Sequence, residues 1–184
     1  MMDNFKFFYK EVLESEGGWS NDPDDRGGKT NYGITAETFQ TYINDVEDRY
    51  YTCSLEEAEQ RLPNITLVDV KSIYEMYYWD VIKGDVLPSG VDVLVADWAV
   101  NSGPNSAITS LQEVVAAKPD GIFGPKTLEK VNAKNPAQLA FELYIKRLRS
   151  YRAIASLNNN KKFIRGWNNR ATRLYNAVLM EYFS

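Results

Sequence analysis

Apolar residues at Phe5, Phe8, Tyr9, Val12 and Leu13 follow the i, i+3, i+4, i+7 spacing of an amphipathic helix, and Gly17-Gly18 stops the run. At about 100° per residue the same stripe continues onto Glu16, while Glu14 falls on the opposite face. The spacing therefore predicts a helix that delivers one carboxylate at its end, on the side turned toward the core. The stretch after it, from Trp19 to Ile34, is rich in Asp, Gly and Asn and has room for only a small β-hairpin. Burial disfavours the charged form of a carboxyl, which is the condition a general acid needs near neutral pH. An idle carboxyl in that setting is costly.

Composition removes most competing chemistries. The chain has no histidine, which excludes Ser-His-Asp and Cys-His nucleophilic systems and His-ligated zinc or iron. Its single cysteine, Cys53, can form neither an intrachain disulfide nor a thiolate cluster. Asp22, Asp24 and Asp25 suggest a calcium loop, but position five would be Arg26 and position twelve Gly33 rather than Glu. No metal and no cofactor is expected, so acid–base work falls to Asp and Glu.

With 184 residues, 44% of them hydrophobic, the chain is long enough for one domain or two small ones around a real core. The coarse pattern is mainly α-helical. Ser54 with Glu57 forms a capping box, opening a short helix that ends before Pro63. Thr66 opens a longer helix through Val70, Tyr74, Tyr77, Tyr78 and Val81, ending at Gly84. Ser89 opens the next, with Val91, Leu94, Val95, Trp98 and Ala99 on one stripe. Another surrounds Ile108, Leu111 and Val115, and Pro125 and Pro136 read as first-turn prolines. The softest boundary lies at Leu87-Pro88-Ser89, giving expected segments 1–88 and 89–184.

Charge is uneven. Between Leu143 and Met180 the charged residues are all basic: Lys146, Arg147, Arg149, Arg152, Lys161, Lys162, Arg165, Arg170 and Arg173. Solvated faces of two long helices account for most of them. A basic surface for an anionic polymer is the alternative. A net charge of −4 and the lack of a nucleic-acid-binding motif argue against nucleic acid as a partner.

The segment Glu16-Gly17-Gly18-Trp19, with Asn21-Asp22-Pro23, Gly27-Gly28, Thr30-Asn31-Tyr32-Gly33-Ile34-Thr35 and Tyr78-Trp79, resembles glycoside hydrolase family 108. These are lysozyme-like muramidases of phage endolysins and bacterial secretion-activating proteins. Asp97, Asn101-Ser102-Gly103, Leu111-Gln112, Asp120 to Pro125, Thr127, Phe163, Gly166-Trp167 and Asn169-Arg170 resemble its usual C-terminal peptidoglycan-binding module. The resemblance implies a lysozyme-like two-lobed fold, with a catalytic lobe over 1–88 and a helical wall-binding module over 89–184. It also places the family's catalytic glutamate on Glu16, the carboxylate that helical periodicity selects independently.

Phage-type lysozymes offer a looser comparison: Glu, Asp nine residues on, then Thr six beyond. Here Asp25 lies nine residues after Glu16, and Thr30 lies five after Asp25. Asp25 and Thr30 are therefore candidate partners of Glu16, with Asp22 a competing second carboxylate. Asn31, Tyr32, Tyr78 and Asn101 are candidate substrate-binding residues. Asn-Tyr-Gly and Asn-Ser-Gly are equally natural turn and helix-end sequences. Inversion and retention both stay open, since they differ in the carboxylate separation, roughly 6.5–9.5 Å against about 5 Å.

The expected activity is cleavage of the β-1,4 bond between N-acetylmuramic acid and N-acetylglucosamine. The alternatives are a non-catalytic wall-binding or secretion-assisting module of the same fold, and a chitinase variant. Bacterial peptidoglycan is the expected partner; the sequence leaves the oligomeric state open, with a monomer favoured. No apolar run reaches transmembrane length. The opening residues lack the pattern of a secretory signal. Synthesis in the cytoplasm, with holin-type release or dedicated export to the wall, is the corresponding expectation.

Overall fold

Capping chemistry sets most helix boundaries. The structure, a computed structural model, describes residues 3–20, 29–47, 50–157 and 163–184. Helix α1 spans Asn4–Glu16 and gives way to Gly17 at φ 70°. Thr35, Ser54 and Thr66 cap α2 (Ala36–Val46), α3 (Leu55–Arg61) and α4 (Leu67–Tyr74), each hydroxyl accepting the N–H three residues on. Pro104, Pro125 and Pro136 open α6 (Pro104–Val114), α7 (Pro125–Asn132) and α8 (Pro136–Leu157). A missing N–H costs no helical hydrogen bond in the first turn. With α5 (Val91–Ser102) and α9 (Ile164–Tyr182), the fold is mainly α. Its small antiparallel hairpin, β1 (Thr30–Asn31) and β2 (Ile34–Thr35), follows α1 as expected.

The helix expected from Thr66 to Gly84 is shorter. After Tyr74 it loosens into a π-helical turn, Glu75–Trp79, and then leaves helical geometry. Trp79 explains the break. Its ring packs edge-on to Phe5 at 5.6 Å and stacks on Phe8 at 5.7 Å, and its indole N–H donates to Asp85 at 2.8 Å. Gly84 passes so close that a Cβ there would lie 2.3 Å from the Trp79 ring. The next helix also starts one residue later than Ser89 implies, because Gly90 is its cap and the Ser89 hydroxyl instead accepts from Asn4 at 2.9 Å.

The chain forms two compact units, Val12–Met76 and a second made of Met1–Glu11 with Tyr77–Ser184. The expected boundary at Leu87-Pro88-Ser89 falls inside the second. Asn4 bonds both Ser89 and Asp92, and Trp79 covers Phe5 and Phe8, so residues around 80–92 close over the start of α1.

In the Val12–Met76 unit, Ile34, Phe39, Ile43, Leu62, Val70 and Ile73 are buried between α2, α3, α4 and the hairpin. In the other unit α5 is the central element, buried continuously from Val91 to Ala99 and packed by α6, α8 and α9. Trp98 is in this core, as its stripe position predicts.

A helix buried all round must pair its charges. Asp97 of α5 meets Arg147 of α8 at 2.7 Å and Arg170 of α9 at 2.7 Å. Desolvation pushes the Asp97 carboxyl up, but the two guanidinium groups more than offset it and hold it below the usual carboxylate range. The solvated reading of the basic run therefore fails for Arg147, which is 3% exposed, and for Arg170. Arg173 pairs with Glu11 at 2.9 Å and Lys146 with Glu113 at 2.6 Å, while Arg149, Arg152 and Arg165 are exposed. Lys161 and Lys162 lie outside the described residues.

Candidate active site

Glu16 is the last residue of α1 and half-buried, with Phe8 and Val12 fully buried behind it on the same face. Glu14 is exposed. The two carboxylates thus differ in surroundings as helical phase predicts.

The hairpin comes against Glu16 through its turn. Tyr32 and Gly33 both have positive φ, 51° and 74°, the combination of a tight two-residue hairpin loop. The φ of Gly33 calls for glycine, and a Cβ there would lie 2.7 Å from Glu16 Oε2 and 2.7 Å from its Cγ, so the turn backbone packs directly on the Glu16 side chain. Tyr32, without that freedom, is held from below. The phenol of Tyr74, 1% exposed, donates to the Tyr32 carbonyl at 2.7 Å. Strained backbone of this kind persists where its surroundings over-determine it, and it clusters at functional sites.

The hairpin is fixed at its other corners too. Ser20 and Thr30 exchange backbone hydrogen bonds of 2.8 and 3.0 Å, and Lys29 meets Glu59 of α3 at 2.6 Å. Asn31 is 5% exposed, and its amide donates to the carbonyls of Leu62 and Pro63 at 3.1 and 3.2 Å. That side chain fastens β1 to the turn after α3, so its donors are engaged in the fold rather than available to an N-acetyl group.

Glu16 and Gly33 therefore meet, with Tyr32 beside Gly33 in the turn and Thr30 half-buried on the same hairpin. Asp25 and its competitor Asp22 lie outside the described residues. Tyr78 and Asn101 belong to the other unit. Tyr78 is half-buried in the π-helical turn, beside a Trp79 that is 2% exposed. Asn101 is exposed and spends one amide hydrogen on the Asp97 carbonyl at 2.8 Å. Sequence reasoning missed Gly33 and Tyr74 as parts of the site. The Asn-Tyr-Gly turn signal was present for the first, whereas Tyr74 reads from its periodicity as core alone.

A carboxylate delivered at a helix end, against a hairpin turn in a mainly helical fold, is the arrangement of a lysozyme-like glycosidase. The chain belongs to the glycosyl hydrolase 108 family, whose model matches residues 9–103. A second model, described as "Predicted Peptidoglycan domain", matches residues 106–172. Among solved structures, that of Brucella abortus SagA is similar at TM-score 0.83 and 31% identity, covering 98% of this chain and 96% of that one. No curated protein matches the chain. Family membership makes it a lysozyme-like glycosidase acting on peptidoglycan. Among the described residues no helix is long and apolar enough to cross a membrane.

Proposed function

We propose that the protein is an N-acetylmuramidase, cutting the β-1,4 bond from N-acetylmuramic acid to N-acetylglucosamine with Glu16 as general acid. The observation that carries this reading is the fit of the Glu16 carboxylate against Gly33, in a turn whose left-handed residues Tyr74 supports from beneath.

In the reaction, the protonated Glu16 gives its proton to the departing glycosidic oxygen as oxocarbenium-like charge grows on the sugar. The C1–O bond breaks, and water supplies the hydroxyl that replaces the leaving group. A second carboxylate, Asp25 or Asp22, takes the water's proton or acts as nucleophile, and Thr30 positions the water. Tyr32, in the turn that packs on Glu16, offers a ring face to the sugars. The enzyme reaches its substrate by holin-type release or dedicated export.

Glu16→Gln tests the assignment. It keeps shape and removes the transferable proton, and general acid–base catalysis contributes about 10²–10⁴-fold. Turnover of purified peptidoglycan should fall by at least that factor, with folding and sacculus binding kept. Glu14→Gln, on the exposed face, should stay near the parent. A folded Glu16→Gln protein that clears peptidoglycan within a fewfold of the parent rate removes Glu16 from the mechanism.

A further inference from the structure

The loop Asp120-Gly121-Ile122, between α6 and α7, is held from inside the fold. Gln112, 1% exposed, donates through its amide to Asp120 Oδ1, the Ile122 carbonyl and Thr127 Oγ1, at 2.9, 3.0 and 3.2 Å. Its oxygen accepts the Gly121 N–H at 2.9 Å. Gly121 has φ 73°, and a Cβ there would fall 2.2 Å from Asn105 Oδ1, so the loop also abuts α6. Ile122 is nevertheless 71% exposed. A loop so firmly organised presents that side chain outward rather than leaving it loose.

Beside Ile122 lies an open cavity of about 630 Å³. Ala116, Ala117 and Ile122 are among its lining residues, as are Lys118, Lys126 and Lys130. Lys126 and Lys130 are exposed and one turn apart on α7, which puts them on one face. Asp120 is the acid in this lining, and its oxygens are already engaged: Oδ1 by Gln112 and the Ile122 N–H, Oδ2 by Lys118 at 3.4 Å. The cavity thus brings apolar residues and three lysines together beside a preorganised loop. In intact peptidoglycan the lactyl carboxyl of N-acetylmuramic acid is tied up in its amide to the stem, so the free carboxylates, and the alanine methyls, lie on the stem peptide.

We infer that this cavity binds the peptide stem of peptidoglycan, Ile122 and the alanines packing its methyl groups while Lys126 and Lys130 face its carboxylates. The inference rests on the reading of the chain as peptidoglycan-acting, and it separates wall attachment from bond cleavage. The module then holds the peptide rather than the glycan.

The test titrates the ¹⁵N-labelled full chain with a free stem tetrapeptide, Ala-γ-Glu-diaminopimelate-Ala, and follows the amides. Shifts should centre on residues 116–130. Affinity should fall by roughly tenfold or more, about 1.4 kcal/mol, in Lys126→Glu/Lys130→Glu and equally when the peptide carboxylates are amidated. Rising salt should weaken binding, as exposed charges are screened. Shifts absent or located elsewhere, or parent-like affinity in the double variant, overturn the inference. So does peptide-free glycan that shifts the same amides and displaces the peptide, since the cavity would then be a sugar site. If the double variant does not fold, the amidated peptide on the parent chain decides alone. Cleavage of peptide-free glycan by the parent is scored in parallel, so a failed muramidase reading shows there and a failed peptide site shows in the amides.

Discussion

Gly33 combines a left-handed backbone with a close approach to one carboxylate. It holds φ 74°, and the space its missing Cβ leaves is occupied by the Glu16 carboxylate. Gly33→Ala should therefore act in two ways. Left-handed strain costs about 1–3 kcal/mol of stability. If Glu16 is the general acid, as proposed, moving its carboxylate also lowers kcat, because a misplacement of about 1 Å at a reacting group costs on the order of 10²-fold. Thermal melts and turnover on the same preparation separate the two effects; a folded Gly33→Ala protein with parent kcat would show that Glu16 does not depend on this contact. At this scale Glu16 is legible in the sequence, because helical phase alone distinguishes it from Glu14. The Tyr74–Tyr32 bond is not, since it joins side chain to backbone across 42 residues.

Helix α5 shows what burial demands of an element. It carries two acids into the core of its unit, and they behave oppositely. Asp97 is ionised and clamped by Arg147 and Arg170, so removing it strands buried cations. Asp97→Ala should cost about 3–5 kcal/mol, and urea unfolding showing under about 1 kcal/mol would contradict the clamp.

Asp92, 1% exposed at the start of α5, is pushed up to about 6 by desolvation, against hydrogen bonds from Asn4 and the Val93 N–H. The folded state therefore holds that proton at pH values where the unfolded chain has released it. Stability falls as pH rises from the ordinary carboxylate range toward 6, and the loss is complete above it. Asp97 has the opposite sign: its contribution is present above the ordinary carboxylate range and is lost as pH falls through its lowered folded value.

Asp92→Asn should consequently gain stability at pH 7.5, by about 3 kcal/mol for a shift of this size, and little at pH 4. An equal change at both pH values would show that Asp92 does not titrate in this range. The apolar stripe of α5 is legible from spacing. Its ion pairs are not, because Arg170 reaches Asp97 from 73 positions away and the local sequence reads only as a basic helix face.

Across the molecule, the legible features are those written locally: Ser and Thr caps, first-turn prolines, the Tyr-Gly turn and the stop at Gly17. The grouping into units depends instead on distant returns. Arg173 pairs with Glu11 across 162 residues, and Trp79 interrupts its own helix to cover Phe5 and Phe8. No local spacing records either event, so a boundary drawn at Leu87-Pro88-Ser89 cuts through one unit.

At the scale of the whole molecule, the proposed activity comes down to one bond. Purified peptidoglycan digested with the protein, reduced with borohydride and resolved by mass spectrometry, reports which sugar becomes the new reducing end. A muramidase yields soluble muropeptides ending in reduced N-acetylmuramic acid; fragments ending in reduced N-acetylglucosamine, or free stem peptides beside intact glycan, would rule that activity out.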